Sequence, residues 1–255
     1  MRPARTGADG GGRALGDHLL ARLARRAAEE PDGLSYRFLD EAGGVVVELS
    51  WQGLAERVGV IAVGLLERNL RGKPVLLAER VGPDLVASIF ACWQAGAIAV
   101  PAYPPKGKRH RGRFEALAED CGAKQVFGRG EGGGMEWLNA DSWKGGGEFE
   151  VREPVSDEVC LLQYTSGSTA APKGVMISQA NLSAQLSALE EVAGPDGIRC
   201  GVSWLPPYHD MGLVAKILLA VWNGFPLTVM TPESFVRRPI LWLEVISRYR
   251  ADYSG

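Results

Sequence analysis

Apolar residues recur every three or four positions at Trp51, Leu54, Val58, Ile61 and Leu65. That spacing predicts a helix with one buried face, running from an N-cap at Ser50 to about Asn69. Residues 15–30 read as an earlier helix stopped by Pro31. Between the two, 34–39 and 45–49 read as strands joined by the acidic, glycine-containing turn 40–44, a hairpin signal. Further on, 74–79 reads as a short buried strand. Residues 83–95 read as a helix with Pro83 in its first turn, and 97–101 as another strand. Residues 85–103 carry no formal charge over 19 positions, the length of a membrane span. Ser88, Gln94, Gly96 and Pro101 interrupt that run, so it reads instead as a helix end followed by a buried strand.

The same punctuation continues. Residues 101–105 form a stiff turn. A basic cluster follows (Lys106, Lys108, Arg109, Arg111 and Arg113 around His110), which reads as a solvated loop, with an anion contact as the other reading. Residues 114–121 read as a helix and 124–127 as a strand. Eight glycines in the twenty residues 128–147 mark a flexible loop around a short ordered piece near Trp137. Residues 159–162 and 175–177 are strand-like. Ser178 caps a helix to about Ala193, and 194–197 is a turn. Strands at 201–205, 227–230 and 251–254 alternate with helices at 213–222 and 239–249. Strands alternating with helices argue for a parallel α/β sheet. No internal repeat is present. Residues 1–14 are expected to be a disordered N-terminus, and 15–255 one partial domain.

Composition adds exclusions. The chain has 255 residues, 46% of them hydrophobic and 23% charged, ordinary for a soluble globular protein. A net charge of −2 argues against whole-molecule affinity for nucleic acid. Cys92, Cys121, Cys160 and Cys200 have no paired spacing and fit neither a zinc site nor a disulfide framework. They suit a reducing compartment. With no signal-peptide pattern at the start, a cytoplasmic location is expected.

Two stretches carry candidate chemistry. In the first, Gln163 to Gly174, four hydroxyls and a glycine occupy Thr165, Ser166, Gly167, Ser168 and Thr169, and Lys173 follows between Pro172 and Gly174. Gly167 and Gly174 are expected to allow positive φ and close approach to a ligand. Successive N–H groups in such a turn form an anion nest, and Lys173 adds a point charge suited to phosphate. The spacing is not that of the P-loop. A Ser/Thr/Gly-rich turn that merely joins two strands is the alternative. In the second stretch, Pro206 to Gly212, His209 and Asp210 sit where a strand meets a helix. Both stretches follow strands, and in open α/β sheets ligands bind at the carboxyl ends of strands. His209 has the chemistry to donate to a carboxylate or phosphate oxygen, and Asp210 to orient it or to cap the next helix. A structural hydrogen bond is the competing reading for the histidine.

Together these residues carry a resemblance. Leu162 to Thr169, with Pro172-Lys173-Gly174, resembles the phosphate-binding signature of the adenylate-forming (AMP-binding) superfamily. Val202 to Leu213, Ala99 to Pro105 and Arg238 to Arg250 are similar to its fatty acyl-AMP ligase branch. The resemblance implies an α/β fold: the N-terminal portion of that superfamily's large domain, mostly parallel sheets flanked by helices and incomplete at the C-terminus. It implies activation of a fatty acid by ATP to an acyl-adenylate, then transfer to a carrier-protein thiol. Coenzyme A as acceptor, and an inactive remnant that binds nucleotide or acyl chain weakly, are the alternatives. By resemblance, Thr165 to Thr169, Lys173 and Gly174 bind the ATP phosphates and Thr165 helps hold Mg²⁺. His209 lies near the reacting carboxylate as the catalytic residue, and Trp204, Pro207, Tyr208 and Asp210 help shape the substrate site. Ala170-Ala171 departs from the superfamily's more common Thr-Gly. The family's downstream acidic motif, ribose-binding aspartate, hinge and C-terminal lysine have no counterpart up to Gly255.

Overall fold

The computed structural model describes residues 17–105, 107–143, 151–165, 173–194 and 196–255, leaving aside the side chains of residues 107–109, 142 and 165. Helix α1 (Leu19–Glu29) buries Leu19, Leu20 and Leu23. Strands β1 (Leu34–Leu39) and β2 (Val45–Ser50) form the expected hairpin. Asp40 closes its turn by accepting from the N–H groups of Ala42 and Gly44. Helix α2 (Trp51–Glu67) begins where Ser50 Oγ accepts from Gly53 N–H at 3.0 Å, and its five periodic apolar residues are all buried. Then come β3 (Pro74–Leu77), α3 (Pro83–Ala95) and β4 (Ile98–Pro101). Helix α3 ends on Gly96 at φ 70°, a left-handed cap that favours glycine.

Helix α4 (Gly107–Cys121) corrects the expected solvated loop. The basic residues from 108 to 113 form its first turns. They are exposed at 110–113, so no apolar period announced them; the periodicity starts only at buried Phe114. Next are β5 (Gln125–Phe127), β6 (Glu136–Leu138), β7 (Val159–Thr165), β8 (Lys173–Ser178) and α5 (Gln179–Ala193). Ser178 and Asn181 form a reciprocal capping box at the start of α5. The chain continues through β9 (Gly201–Ser203), α6 (Asp210–Gly212), a π-helical stretch (Leu213–Leu218) and α7 (Leu219–Asn223). It closes with β10 (Leu227–Val229), α8 (Pro232–Arg237), α9 (Ile240–Tyr249) and β11 (Tyr253–Ser254).

The strands make two sheets rather than one. The first runs β11-β9-β10-β1-β2 and the second β6-β5-β3-β4-β7-β8. Pairing is parallel throughout except for β1 with β2 and β7 with β8, the two edge hairpins. Side chains alternate across each sheet. Val75, Leu77, Ala99 and Leu161 of one sheet and Tyr36, Phe38, Leu227 and Val229 of the other share a single core with α1, α2, α3 and α7. Leu76, Val100 and Val126 face outward against Phe114 and Ala118 of α4. Val202 and Met230 face outward against Leu241 and Val245 of α9. The result is a layered stack in which inner helices separate two sheets and α4 and α9 cover their outer faces. Among the described residues, no helix is long and apolar enough to cross a membrane.

The π-helical stretch carries Lys216, which is 4% exposed. Its Nζ donates to the Ser254 carbonyl at 2.9 Å and sits 3.5 Å from the centre of the Tyr253 ring. Burial pulls this lysine below its ordinary value, to about 8. Below pH 8 the folded and unfolded chains both carry the proton, and the fold bears the cost of a desolvated charge. From about 8 to about 10.5 the unfolded chain holds the proton more tightly, so stability rises with pH. The wild type is therefore expected to gain on the order of 2–3 kcal/mol relative to Lys216→Met across that window in urea unfolding. A difference between the two that is flat with pH contradicts this.

Candidate active site

The carboxyl ends of strands from both sheets open onto one cavity of about 790 Å³. Pro101 to Pro104 follow β4, Arg80 and Val81 follow β3, and Tyr164 belongs to β7. From the other sheet, Pro206, Tyr208 and His209 follow β9, and Thr231 to Glu233 follow β10. His110, Arg113, Phe114 and Leu117 of α4 form a further wall.

The two hairpin halves of the phosphate-loop candidate are held in register by β7 and β8. Thr165 stands opposite Lys173, and Tyr164 opposite Gly174. Lys173 is exposed at the head of β8. Ser166, Gly167, Ser168 and Thr169 lie outside the described residues. Gly174 serves a purpose other than the one expected from sequence. It lies within a strand and is not among the positive-φ glycines. A Cβ there would meet the Tyr164 ring at 2.9 Å, so the bare Cα makes room for that ring. The Tyr164 hydroxyl in turn donates to Asp120 Oδ2 at 2.5 Å, tying β7 to α4. Burial first, and then this bond, raise its pKa, so the phenol stays protonated.

The second stretch folds into a tight turn. His209 N–H donates to the Pro206 carbonyl at 3.1 Å, and the His209 carbonyl accepts from Leu213 N–H at 2.8 Å. His209 takes the N-cap position of α6, but its imidazole makes no capping bond. It is exposed and lines the cavity. Asp210 does not take the N-cap position, which is His209's; its Oδ1 accepts from Met211 N–H at 2.8 Å. Tyr208 packs edge-on to Tyr103, with ring centres 5.4 Å apart, and Tyr103 packs edge-on to His110 at 5.8 Å. Burial raises the Tyr208 pKa, which keeps it a neutral donor. Pro207 is buried beneath the turn. Trp204 is not among the described residues lining the cavity. It stacks on Phe235 with ring centres 3.7 Å apart and planes 4° from parallel, beneath the turn's other side.

The structure adds residues that sequence reasoning left out. Arg80, Glu233 and Arg237 line the cavity, and Arg237 pairs with Glu41 across it. Tyr103 donates to Glu233 Oε1 at 3.3 Å. Glu233 and Arg237 sit on α8, which the sequence reading missed. The signal was present: Thr231 caps the helix by accepting from Ser234 N–H, with Pro232 and Glu233 in its first turn. His110 and Arg113, read as part of a basic run with an anion contact as the alternative, line the cavity once α4 starts at Gly107. Among the described residues, no cluster of three His, Cys, Asp or Glu stands as a ready metal cage. Magnesium bound with a nucleotide is commonly held by one or two protein groups together with the phosphates. The cavity's arginines and its aromatic wall suit an anionic substrate that also carries apolar surface, and the exposed Lys173 is not among its lining residues.

Comparison with known proteins points the same way. The family model described as AMP-binding enzyme matches residues 23–254. A medium-chain-fatty-acid–[acyl-carrier-protein] ligase of Moorena producens is 34% identical over 256 residues, which cover 92% of this chain and 43% of that protein. A long-chain-fatty-acid–AMP ligase of Mycolicibacterium smegmatis is 32% identical, with 94% and 41% covered. The crystal structure of a fatty acyl-adenylate ligase from L. pneumophila in complex with acyl adenylate and pyrophosphate superposes with a TM-score of 0.84 at 29% identity. It covers 93% of this chain and 44% of that one. The chain thus spans less than half the length of the relatives it matches. With a two-sheet core, a site at the strands' carboxyl ends and a family match along nearly its whole length, the chain belongs to the AMP-binding enzyme family, on the side of the fatty acyl-AMP ligases.

Proposed function

We propose that these residues form one half of a site that activates a fatty acid with ATP. The acid's carboxylate oxygen attacks the α-phosphorus, the bond to the bridging oxygen breaks, and acyl-adenylate and pyrophosphate result. The acyl group then passes to the thiol of an acyl carrier protein. The observation that carries the reading is the convergence of two loops. Tyr164 on β7, just before the hydroxyl-rich loop, and His209 after β9 come from different sheets and line the same cavity, and Gln163 Nε2 donates to the Tyr208 carbonyl between them.

In this reading Lys173 and the hydroxyls from Thr165 to Thr169 offset the charge of the β- and γ-phosphates. His209 donates to the carboxylate or α-phosphate oxygen, and the Tyr208 and Tyr103 rings wall the site. Thr165 is the protein group that would help hold Mg²⁺, which would add charge neutralisation on the phosphates. Two of the matched relatives, from Moorena producens and Teredinibacter turnerae, are named acyl-carrier-protein ligases, which supports the carrier-protein acceptor, while three others are named putative coenzyme A ligases. The test is acid-dependent exchange of pyrophosphate into ATP by a form of the relatives' full length that carries these residues. Exchange that needs a fatty acid supports the reading, and its absence overturns it.

A further inference from the structure

Gln163 lies on β7 two residues before Thr165 and is 5% exposed. Its Nε2 donates to the Tyr208 carbonyl at 2.6 Å. The partner fixes the amide's orientation, since the reverse would set oxygen against oxygen. Its Oε1 is buried and has no hydrogen-bond partner among the described residues. β7 belongs to the six-stranded sheet and Tyr208 follows β9 of the five-stranded one, so this bond joins the two sheets at their carboxyl ends. It falls one residue from His209 and two from Thr165. The other bond that Tyr208 makes across the sheets, from its hydroxyl to the Glu79 carbonyl, is 3.5 Å long and at the limit of hydrogen bonding.

Packing alone does not call for an amide here. Methionine or leucine would fill a similar volume without leaving an acceptor orphaned, and an unpaired buried acceptor is costly. The amide's donor half is thus retained at the expense of its acceptor half. We propose that Gln163 is a positioning residue that holds the Tyr208–His209 backbone at a fixed separation from the root of the β7–β8 loop. Its part in the reaction rests on the acyl-adenylate reading; the positioning does not.

Amide hydrogen exchange of the 255-residue chain tests it, read at His209 and Leu213, whose N–H groups bond within the turn. In Gln163→Met, exchange at both is expected to be about tenfold faster, which is what losing one buried hydrogen bond allows. The β7–β8 ladder amides and the melting temperature are expected to hold. Gln163→Leu, with different branching, serves as the second variant and must do the same. A ligand arm uses a form of the relatives' full length that carries these residues, and a non-hydrolysable fatty acyl sulfamoyl-adenosine. The variants are expected to bind it at least tenfold more weakly than wild type while keeping their affinity for ATP alone, a split that general loosening of the fold does not produce. Unchanged exchange in whichever variant folds overturns the positioning. Equal affinity for the analogue in wild type and variant overturns the role in the site. Should exchange respond while wild type ignores the analogue, the acyl-adenylate reading fails and the positioning stands.

Discussion

Lys173→Ala lowers fatty-acid-dependent adenylation by about 100-fold or more in a full-length ligase that carries these residues. The expectation comes from where the lysine stands and from what the step requires. Lys173 heads β8 with its backbone opposite Thr165, at the root of the hydroxyl-rich stretch. The reaction brings a carboxylate anion to a polyphosphate, and its transition state spreads charge onto oxygens that leave as pyrophosphate. Removing one preorganised donor from such charge typically costs 10²–10³ in rate. The residue is exposed, and its loss leaves the fold within about 0.5 kcal/mol of wild type. Activity and stability therefore separate. Steady-state kinetics with a parallel melting curve checks this. Unchanged adenylation removes Lys173 from the phosphate site.

Gly212→Ala is expected to be strongly damaging, since among the described glycines its added Cβ would come nearest to backbone atoms. A Cβ at this position would lie 2.2 Å from the Pro206 carbonyl oxygen, 2.7 Å from its carbon and 3.0 Å from the Leu205 oxygen. All three are backbone atoms, so no flexible side chain can swing aside. Either the start of the helix or the Pro206 turn must move. The helix is anchored behind Gly212 by Leu213, Ile217 and Leu218, each at most 3% exposed. The turn therefore yields, and it takes His209 with it. Overpacking of this kind costs about 1–3 kcal/mol and sometimes more. Displacement of a reacting group by about 1 Å costs on the order of 100-fold in rate. Urea unfolding and adenylation should both fall. A variant with wild-type stability would show that the turn is looser than its contacts imply.

Much of the fold is legible because its signals are local. The apolar period of α2, Pro83 at the start of α3, Gly96 at its end and Ser178 ahead of α5 act within a few residues of one another, and each element forms where its signal stands. The beginning of α4 is not legible in this way. Residues 110–113 in its first turns are exposed, so no apolar period marks them. The division into two sheets is hidden for another reason. A strand's partner is decided by contacts far along the chain: β1 pairs with β10, and Tyr36 meets Leu227. Residue type pointed to His209 and Lys173 as candidates. Arg80, Glu233 and Arg237, which line the cavity with His209, are surface-type residues until the turn after β3 and helix α8 bring them together. The same holds for Gln163, whose partner is 45 positions away, and for Gly174, whose small size answers to a ring on the neighbouring strand.

The expectation is that these residues hold the root of the phosphate loop and the histidine turn of an acyl-adenylate site whose remainder is supplied by a form of the relatives' full length. Its most direct test is fatty-acid-dependent ATP–pyrophosphate exchange, measured side by side for the chain alone and for a form of the relatives' full length that contains it. The account predicts exchange by the longer form that stops when the acid is omitted, and none by the chain alone. Robust exchange by the chain alone, or none by the longer form with any fatty acid, would contradict it.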